Sequence, residues 1–545
     1  MARPRSSRKR KWPPAGVPYR FTGRRLSPAL TGRGGRARHQ GLTAQRHSHQ
    51  VGLVTEQTLG RLAEESWSRF DDHDAIFYEG AWLRSHALAV RARRMCGGFV
   101  AAGIRPGDRV AVMMATSPEV PLLYQALWAA GAVVTPVVFL VGADELRHIL
   151  LDSGARAIVT SPELEETVRA AAVDIPVLVD TAELEQAPER GFVHRDPGDL
   201  AALMYTGGTT GKAKGVMLSH RGLWQVGKAV YELSRQEGKN RALMPVPLSH
   251  AYGLIISVAS MHATEPQQAV LMRWFEPKAF LSLAAEQRVQ YGTVVPSMIQ
   301  MLLAEPLESH PLPDLAFLTC GAAPLGRQTL AEFERRMPGV QILEGYGLTE
   351  TSAVTTFNPP GRRKAGSVGL PLPGYTIIIR DDEGEAAETG DIGEICVSGE
   401  SLMLGYWGEH EPDPEDTALV GGELRTGDIG CVDDDGYLYV VDRKKDLIIR
   451  GGFNVFPRDV EDALNQHPDV VMSGVVGRPD PRVGEEVVAF VQLRKGAEVG
   501  AEELIAWARD RVGRVKYPRE VRFADSIPVT SVLKLDRKAL RALLG

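Results

Sequence analysis

At 545 residues the chain exceeds the size at which a single hydrophobic core keeps growing, so two or more domains are expected. Apolar residues make up 44% and charged residues 24%, which excludes an intrinsically disordered or fibrous chain, and no apolar run approaches the ~20 residues of a membrane-spanning helix. The net charge of −5 is uneven: residues 1–50 hold eleven Arg and two Lys with no acid, leaving 50 basic against 68 acidic residues elsewhere. Such a tail suits a nucleic-acid or anionic-lipid contact or an Arg-rich transit segment, but equally a disordered extension or an upstream translation start. We read residues 1–52 as a basic, disordered extension, expect the native chain to begin near Val51, and expect no nucleic-acid partner. Cys96, Cys320, Cys396 and Cys431 lie far apart with no C-x-x-C pair. That argues against a disulfide framework or a cysteine-rich zinc site, and for a reducing, cytoplasmic location.

From Thr55 onward the pattern is α/β. "DRVAVMMA" (108–115) reads as a buried strand, "PEVPLLYQALWAAGA" as a helix and "VVTPVVFL" as a returning strand. "ADELRHILLDSG" is helical, and "ARAIVTS" and "IPVLVD" repeat the strand signal. This alternation implies a mostly parallel sheet covered by helices on both faces. "VDDDG" before "GYLYVVDR" marks an Asp-Gly hairpin turn rather than a calcium loop, since the twelfth loop position is not Glu. After Lys445 the texture changes. "DVEDALNQHPDV" and "AEELIAWARDRV" are amphipathic helices and "EEVVAFVQL" is a strand, which predicts a small α+β domain of about 100 residues.

The stretch "YTGGTTGKAKG" (205–215) combines four glycines, three threonines and two lysines. Glycines let an anion approach backbone N–H groups, and hydroxyls and ammonium groups add donors, so it reads as a phosphate cradle or a flexible surface loop. It is not a Walker loop: Thr206 stands five positions before Gly211, and Ala213 follows Lys212.

The stretch resembles the signature loop of the adenylate-forming superfamily, which includes acyl-CoA synthetases, luciferases and peptide-synthetase adenylation domains. Further resemblances follow in the family's order: "PLSHAYG" (247–253), "GAAP" (321–324), "EGYGLTE" (344–350), "GEICVSG", "MLGYW", "RTGD" (425–428), "DRKKDLI" (442–448), "GGFNVFPRDVE" and "PVTSVLK" (528–534). The likeness spans essentially residues 55–545. It implies a large domain over 53–444 that binds ATP and acid, and a small mobile domain over 445–545 that carries a catalytic lysine.

The resemblance also implies roles. Thr206, Gly207, Gly208, Thr209, Thr210, Gly211 and Lys214 would grip the triphosphate of ATP. Gly321, Ala322, Ala323 and Pro324, with Glu344, Gly345, Tyr346 and Gly347, would frame adenine, Tyr346 stacking on it. Glu350 would hold Mg²⁺ against the phosphates, beside Thr349 on the α-phosphate. Asp428 would accept from the ribose hydroxyls, with Arg443 near it. His250 would stand at the acyl pocket, and Lys534 would bridge carboxylate and α-phosphate. Lys445 would be the hinge, and Gly451 and Gly452 would line the path of coenzyme A.

Taken alone, each residue has a plain structural reading: a Tyr packs in a core, an Asp follows Gly427 in a turn, a Lys beside Arg537 and Lys538 is solvated. One departure stands out: Val532 and Leu533 precede Lys534, where the family commonly has a glycine. The implied activity is ATP-dependent acid–thiol ligation through an acyl-adenylate. The acid is expected to be a medium- or long-chain fatty acid from "GSVGLPLPG", "MLGYW" and "DRKKDLIIRGGFNVFP". An aryl acid, a carrier-protein acceptor or a non-catalytic nucleotide-binding homologue are the alternatives. Oligomeric state and a peripheral membrane contact stay open.

Overall fold

The computed structural model describes residues 56–206, 213–408, 418–530 and 534–544. The basic tail, Gly207, Gly208, Thr209, Thr210 and Gly211 of the glycine-rich loop, and Val532 and Leu533 lie outside the described residues.

The run Arg109–Met113 lies inside a seven-stranded sheet, parallel to Val133–Pro136 on one side and Ala157–Thr160 on the other. Its residues from Val110 are wholly buried, because helices cover both faces, and such a strand reads as one continuous apolar run. Helix Glu119–Ala129 is buried on nearly every side, with Tyr124 and Trp128 in the core. The returning strand is shorter than expected. It ends at Pro136, and residues 138–141 turn, Val141 N donating to Val138 O.

A nine-stranded sheet lies beside it, parallel through Asp74–Tyr78, Gln268–Leu271, Arg241–Met244, Tyr291–Val294, Phe317–Cys320 and Gln341–Tyr346, and antiparallel at both edges. The alternating pattern implies a mostly parallel sheet covered by helices, and the fold has two such sheets. The pattern does not imply the third, an antiparallel sheet of Tyr375–Arg380, Gly393–Gly399, Ala418–Val420, Glu423–Val432 and Leu438–Arg443. The Asp-Gly turn joins its last two strands, Gly436 taking φ +84, the left-handed region that turn requires.

The chain ends in a smaller α+β unit. Antiparallel strands Val470–Asp480 and Gly484–Leu493 carry helices Pro457–Leu464 and Ala501–Lys516. Its core, including Val460, Leu464, Val475, Ala489 and Leu504, is separate from those of the larger part. A separate core is the physical mark of a separate domain.

Candidate active site

A cavity of about 2110 Å³ opens where the two large sheets, the antiparallel sheet and the small domain meet. Thr206, Lys214, His250, Gly321, Ala322, Ala323, Pro324, Glu344, Gly345, Tyr346, Gly347, Thr349, Glu350, Asp428, Arg443, Lys445 and Lys534 all line it. Residues separated by more than 300 positions therefore line one cavity.

Strand ends deliver most of these groups. Thr206 and Lys214 are paired at the open end of the antiparallel pair Leu200–Thr206 and Lys214–Ser219. The next strand is Gly405–Tyr406, and the Lys214 ammonium lies 5.7 Å from the centre of the Tyr406 ring. Tyr406 Oη donates to Glu350 Oε1 at 3.0 Å. Glu350 sits in a single 3₁₀ turn, Thr349–Thr351, and is 7% exposed. Burial pushes its carboxyl above the usual carboxylate range, opposed by the Tyr406 hydrogen bond and by the charges of Arg443 and Lys534.

The backbone around Glu350 is strained. Ser352 and Ala353, directly after the 3₁₀ turn, take φ +53 and +87, and Ala322 across the cavity takes φ +70. Non-glycine residues rarely adopt these values, and such outliers cluster at binding sites. Gly347 makes the fold-back possible. A Cβ there would meet Ala353 O at 2.2 Å and Val354 Cα at 2.7 Å.

Asp428 is 4% exposed, and both of its oxygens are engaged. Oδ2 accepts from Tyr346 Oη at 2.8 Å and Oδ1 meets Arg443 Nε at 2.9 Å. Tyr346 is thus held by Asp428 as well as facing the cavity, a link the sequence does not suggest. Each carboxylate oxygen keeps a further lone pair with which to accept a hydroxyl. The Asp428 charge pushes the Arg443 guanidinium above its ordinary value, and burial with the Asp428 charge pushes the Tyr346 phenol well up.

His250 caps helix Ala251–Met261, its Nδ1 accepting from Tyr252 N at 3.3 Å, which leaves the ring proton on Nε2. Burial and the Lys534 charge lower it to about 3, so the ring is neutral. Glu344 is 8% exposed, and burial raises its carboxyl to about 7 against the pull of Arg458 and Arg363.

Lys534 enters from the small domain. Burial, with help from Arg443, lowers its ammonium to about 8, while Asp428 and Glu350 hold it up. A two-way backbone link supports it: Thr530 N donates to Lys534 O at 2.7 Å and Lys534 N to Thr530 Oγ1 at 3.2 Å. Gly451 and Gly452 are not in the cavity. They form the tip of the hairpin joining Ile448–Arg450 to Phe453–Val455, at φ +57 and +77, with open space around them. The small domain turns Lys534, not this tip, toward the cavity.

Tyr406, Asp442 and Arg458 also line the cavity, and sequence reading left them without a role. The first lies in the quoted "MLGYW", but only its pairing beside Lys214 reveals its use.

Buried carboxylates, the ammonium groups of Lys214, Lys445 and Lys534 and a paired Asp–Arg at strand ends make a cavity with the charges that a nucleotide-dependent acid-activating enzyme needs. The family model described as "AMP-binding enzyme" matches residues 63–407, and "AMP-binding enzyme C-terminal domain" matches 459–534. Feruloyl-CoA synthase of Amycolatopsis sp is 37% identical over 479 residues, 86% of this chain and 96% of that one. Long-chain-fatty-acid–CoA ligase of Bacillus subtilis (strain 168) is 33% identical over 540 residues, 90% of this chain and 95% of that one. ATP-bound MatB from Rhodopseudomonas palustris superposes with a TM-score of 0.80 at 31% identity, over 89% of this chain and 99% of that one. The chain belongs to the AMP-binding enzyme family, the adenylate-forming superfamily. It is an enzyme of the AMP-forming acyl-CoA synthetase type, with ATP and coenzyme A as cosubstrates and Mg²⁺ as the usual ion.

The donor set fits that ion. Among the described residues no cluster of three or more His, Cys, Asp or Glu could enclose a metal, and Mg²⁺ characteristically uses one or two carboxylates plus phosphate oxygens. Glu350, buried and facing the cavity, is the carboxylate that would serve.

Proposed function

We propose that this protein activates a hydrophobic carboxylic acid as acyl-AMP and transfers the acyl group to coenzyme A. The observation that carries the reading is the convergence of Glu350, Asp428 and Lys534 on one cavity.

The chemical obstacle is repulsion between a carboxylate and a polyphosphate. At ~4 Å two unit charges repel by about 4 kcal/mol at an effective dielectric of 20. Lys534, cationic below pH about 8, bridges both partners as the acid oxygen attacks the α-phosphorus and pyrophosphate departs, a role supported by its place in the cavity wall. Lys214 and Thr206 hold the departing phosphates, and Thr349 donates to the α-phosphate. Asp428 accepts from ribose, while Tyr346 and the turn of Gly321, Ala322, Ala323 and Pro324 enclose adenine. Glu350 would hold Mg²⁺, which offsets phosphate charge when bound. Neutral His250 presents Nε2–H to the acid. The thiol of coenzyme A then attacks the acyl carbon and AMP leaves.

We place the domain boundary at 444/445, with Lys445 as the hinge, so that rotation withdraws Lys534 and brings Gly451 and Gly452 to the thiol path. No described helix is long and apolar enough to cross a membrane. The four cysteines, separate and unpaired, favour the cytoplasm.

The sequence motifs and the B. subtilis relative favour a medium- or long-chain fatty acid. An aryl acid is the second reading. It is favoured by the Amycolatopsis relative and by a chain of hydroxyls in the cavity wall, Tyr252 Oη to Thr319 Oγ1 at 2.9 Å and Thr319 to Thr293 Oγ1 at 3.1 Å. Hydroxylamine trapping of the acyl-adenylate across fatty and aryl acids decides between them, followed by addition of coenzyme A or a carrier protein. Absence of acid-dependent pyrophosphate exchange with every acid would leave a non-catalytic nucleotide binder.

A further inference from the structure

Helix Pro457–Leu464 has no side-chain cap of its own, since Phe456 occupies the N-cap position. Asp442, on the last strand of the antiparallel sheet, takes over that task from outside the helix. Its Oδ2 accepts from Arg458 N at 3.0 Å, while Oδ1 accepts from Arg443 N at 2.8 Å. An anion at the first turn of a helix satisfies an orphan N–H and meets the positive end of the helix dipole. The Arg458 side chain returns the contact. Its Nη1 donates to Val440 O at 2.8 Å, and its Nη2 to Leu325 O at 3.2 Å, next to the turn that ends in Pro324. One small-domain residue therefore grips two separate parts of the large domain.

The same helix is bound to the segment that carries Lys534. Arg537 Nη2 donates to both oxygens of Glu461 at 2.8 Å, and Glu461 Oε1 also accepts from Val475 N at 2.8 Å. Arg541 Nη2 reaches Asp446 Oδ1 at 2.8 Å, beside Lys445. Helix, strand and lysine segment thus move together, and whatever fixes the helix fixes Lys534.

We infer that Arg458 and Asp442 form a latch that holds the small domain with Lys534 in the cavity. They act as positioning residues for acid activation, and the latch must open before the thiol step. The inference rests on the ligase reading for its kinetic half only.

The test uses the full-length enzyme with Arg458→Ala and Arg458→Lys. Single-turnover acyl-adenylate formation is expected to fall about tenfold in Arg458→Ala, the scale of losing hydrogen bonds from a charged donor, and to recover in part in Arg458→Lys. Thioester formation from preformed acyl-adenylate should be unchanged or faster. An equal fall in both half-reactions would reduce the pair to a structural role, and no fall in either would remove the latch. Trypsin cleavage at Lys444 and Lys445 in the presence of ATP alone gives a readout without acid chemistry: faster cleavage in Arg458→Ala supports the latch, and an unchanged rate overturns it. If the wild type forms no adenylate with any acid, the ligase reading fails while the trypsin result still judges the latch. Should Arg458→Ala not fold, Arg458→Lys and Asp442→Asn carry both measurements, with a smaller fall in adenylation expected and an unchanged cleavage rate again decisive against the latch.

Discussion

Asp428 and Arg443 are directly opposed across the hairpin of the antiparallel sheet, and their side chains meet at 2.9 Å on the wall of the nucleotide cavity. The hairpin register brings them together, so the Asp428 carboxylate is held in place by backbone geometry. Arg443→Ala leaves a buried carboxylate without its cation. We expect a loss of about 1–2 kcal/mol, modest because Arg443 is half exposed. Urea unfolding of Arg443→Ala, Asp428→Asn and the double variant checks this. The double variant should cost less than the two single losses added together, because removing both partners leaves no uncompensated charge.

Lys534→Ala is expected to slow acyl-adenylate formation by about 10²-fold, the order seen when one charge-stabilising donor is lost. Thioester formation from preformed acyl-adenylate should persist. Equal loss in both half-reactions, measured by single turnover, would contradict the assigned role.

The depressed ammonium also sets a pH dependence. In the free enzyme Lys534 is cationic below about pH 8 and neutral above it. If the cation is the active form, kcat/KM for adenylation falls as pH rises through about 8, since that parameter reports free-enzyme ionisations. Lys534→Arg, cationic throughout, should move that limb to higher pH even if its rate is lower.

Tyr406→Phe removes the hydroxyl that donates to Glu350 at 3.0 Å. The carboxyl, already pushed up by burial, should rise further and hold a cation less well. A several-fold higher Mg²⁺ concentration for half-maximal pyrophosphate exchange is expected, with little change in unfolding midpoint. Unaltered Mg²⁺ dependence would show that the Tyr406 hydrogen bond has no part in the ion's affinity.

Gly347→Ala tests the fold-back that presents Thr349 and Glu350. A methyl group placed 2.2 Å from Ala353 O cannot be accommodated without backbone movement. We expect about 2 kcal/mol or more of destabilisation, or, if the loop gives way, a loss of ATP affinity with stability retained. Chemical denaturation together with ATP titration distinguishes these outcomes.

Much of this protein was legible from its residues in order. The buried strand at Arg109–Met113, the helix at Glu119–Ala129 and the Asp-Gly hairpin follow from local periodicity and turn chemistry, which act over a few residues. The motif residues from Thr206 to Lys534 could be picked out in order, and those the structure describes, Gly451 and Gly452 apart, line one cavity. What the chain order could not reveal was contact. Tyr346 with Asp428, Tyr406 with Glu350 and Arg458 with Val440 and Leu325 join residues 82, 56, 18 and 133 positions apart, and each depends on sheet register and domain placement. Gly451 and Gly452 make the same point in reverse. Their type suits a narrow passage, yet the orientation of the small domain keeps them out of the cavity and puts Lys534 there, because burial and hydrogen bonding across the whole interface decide which face turns inward.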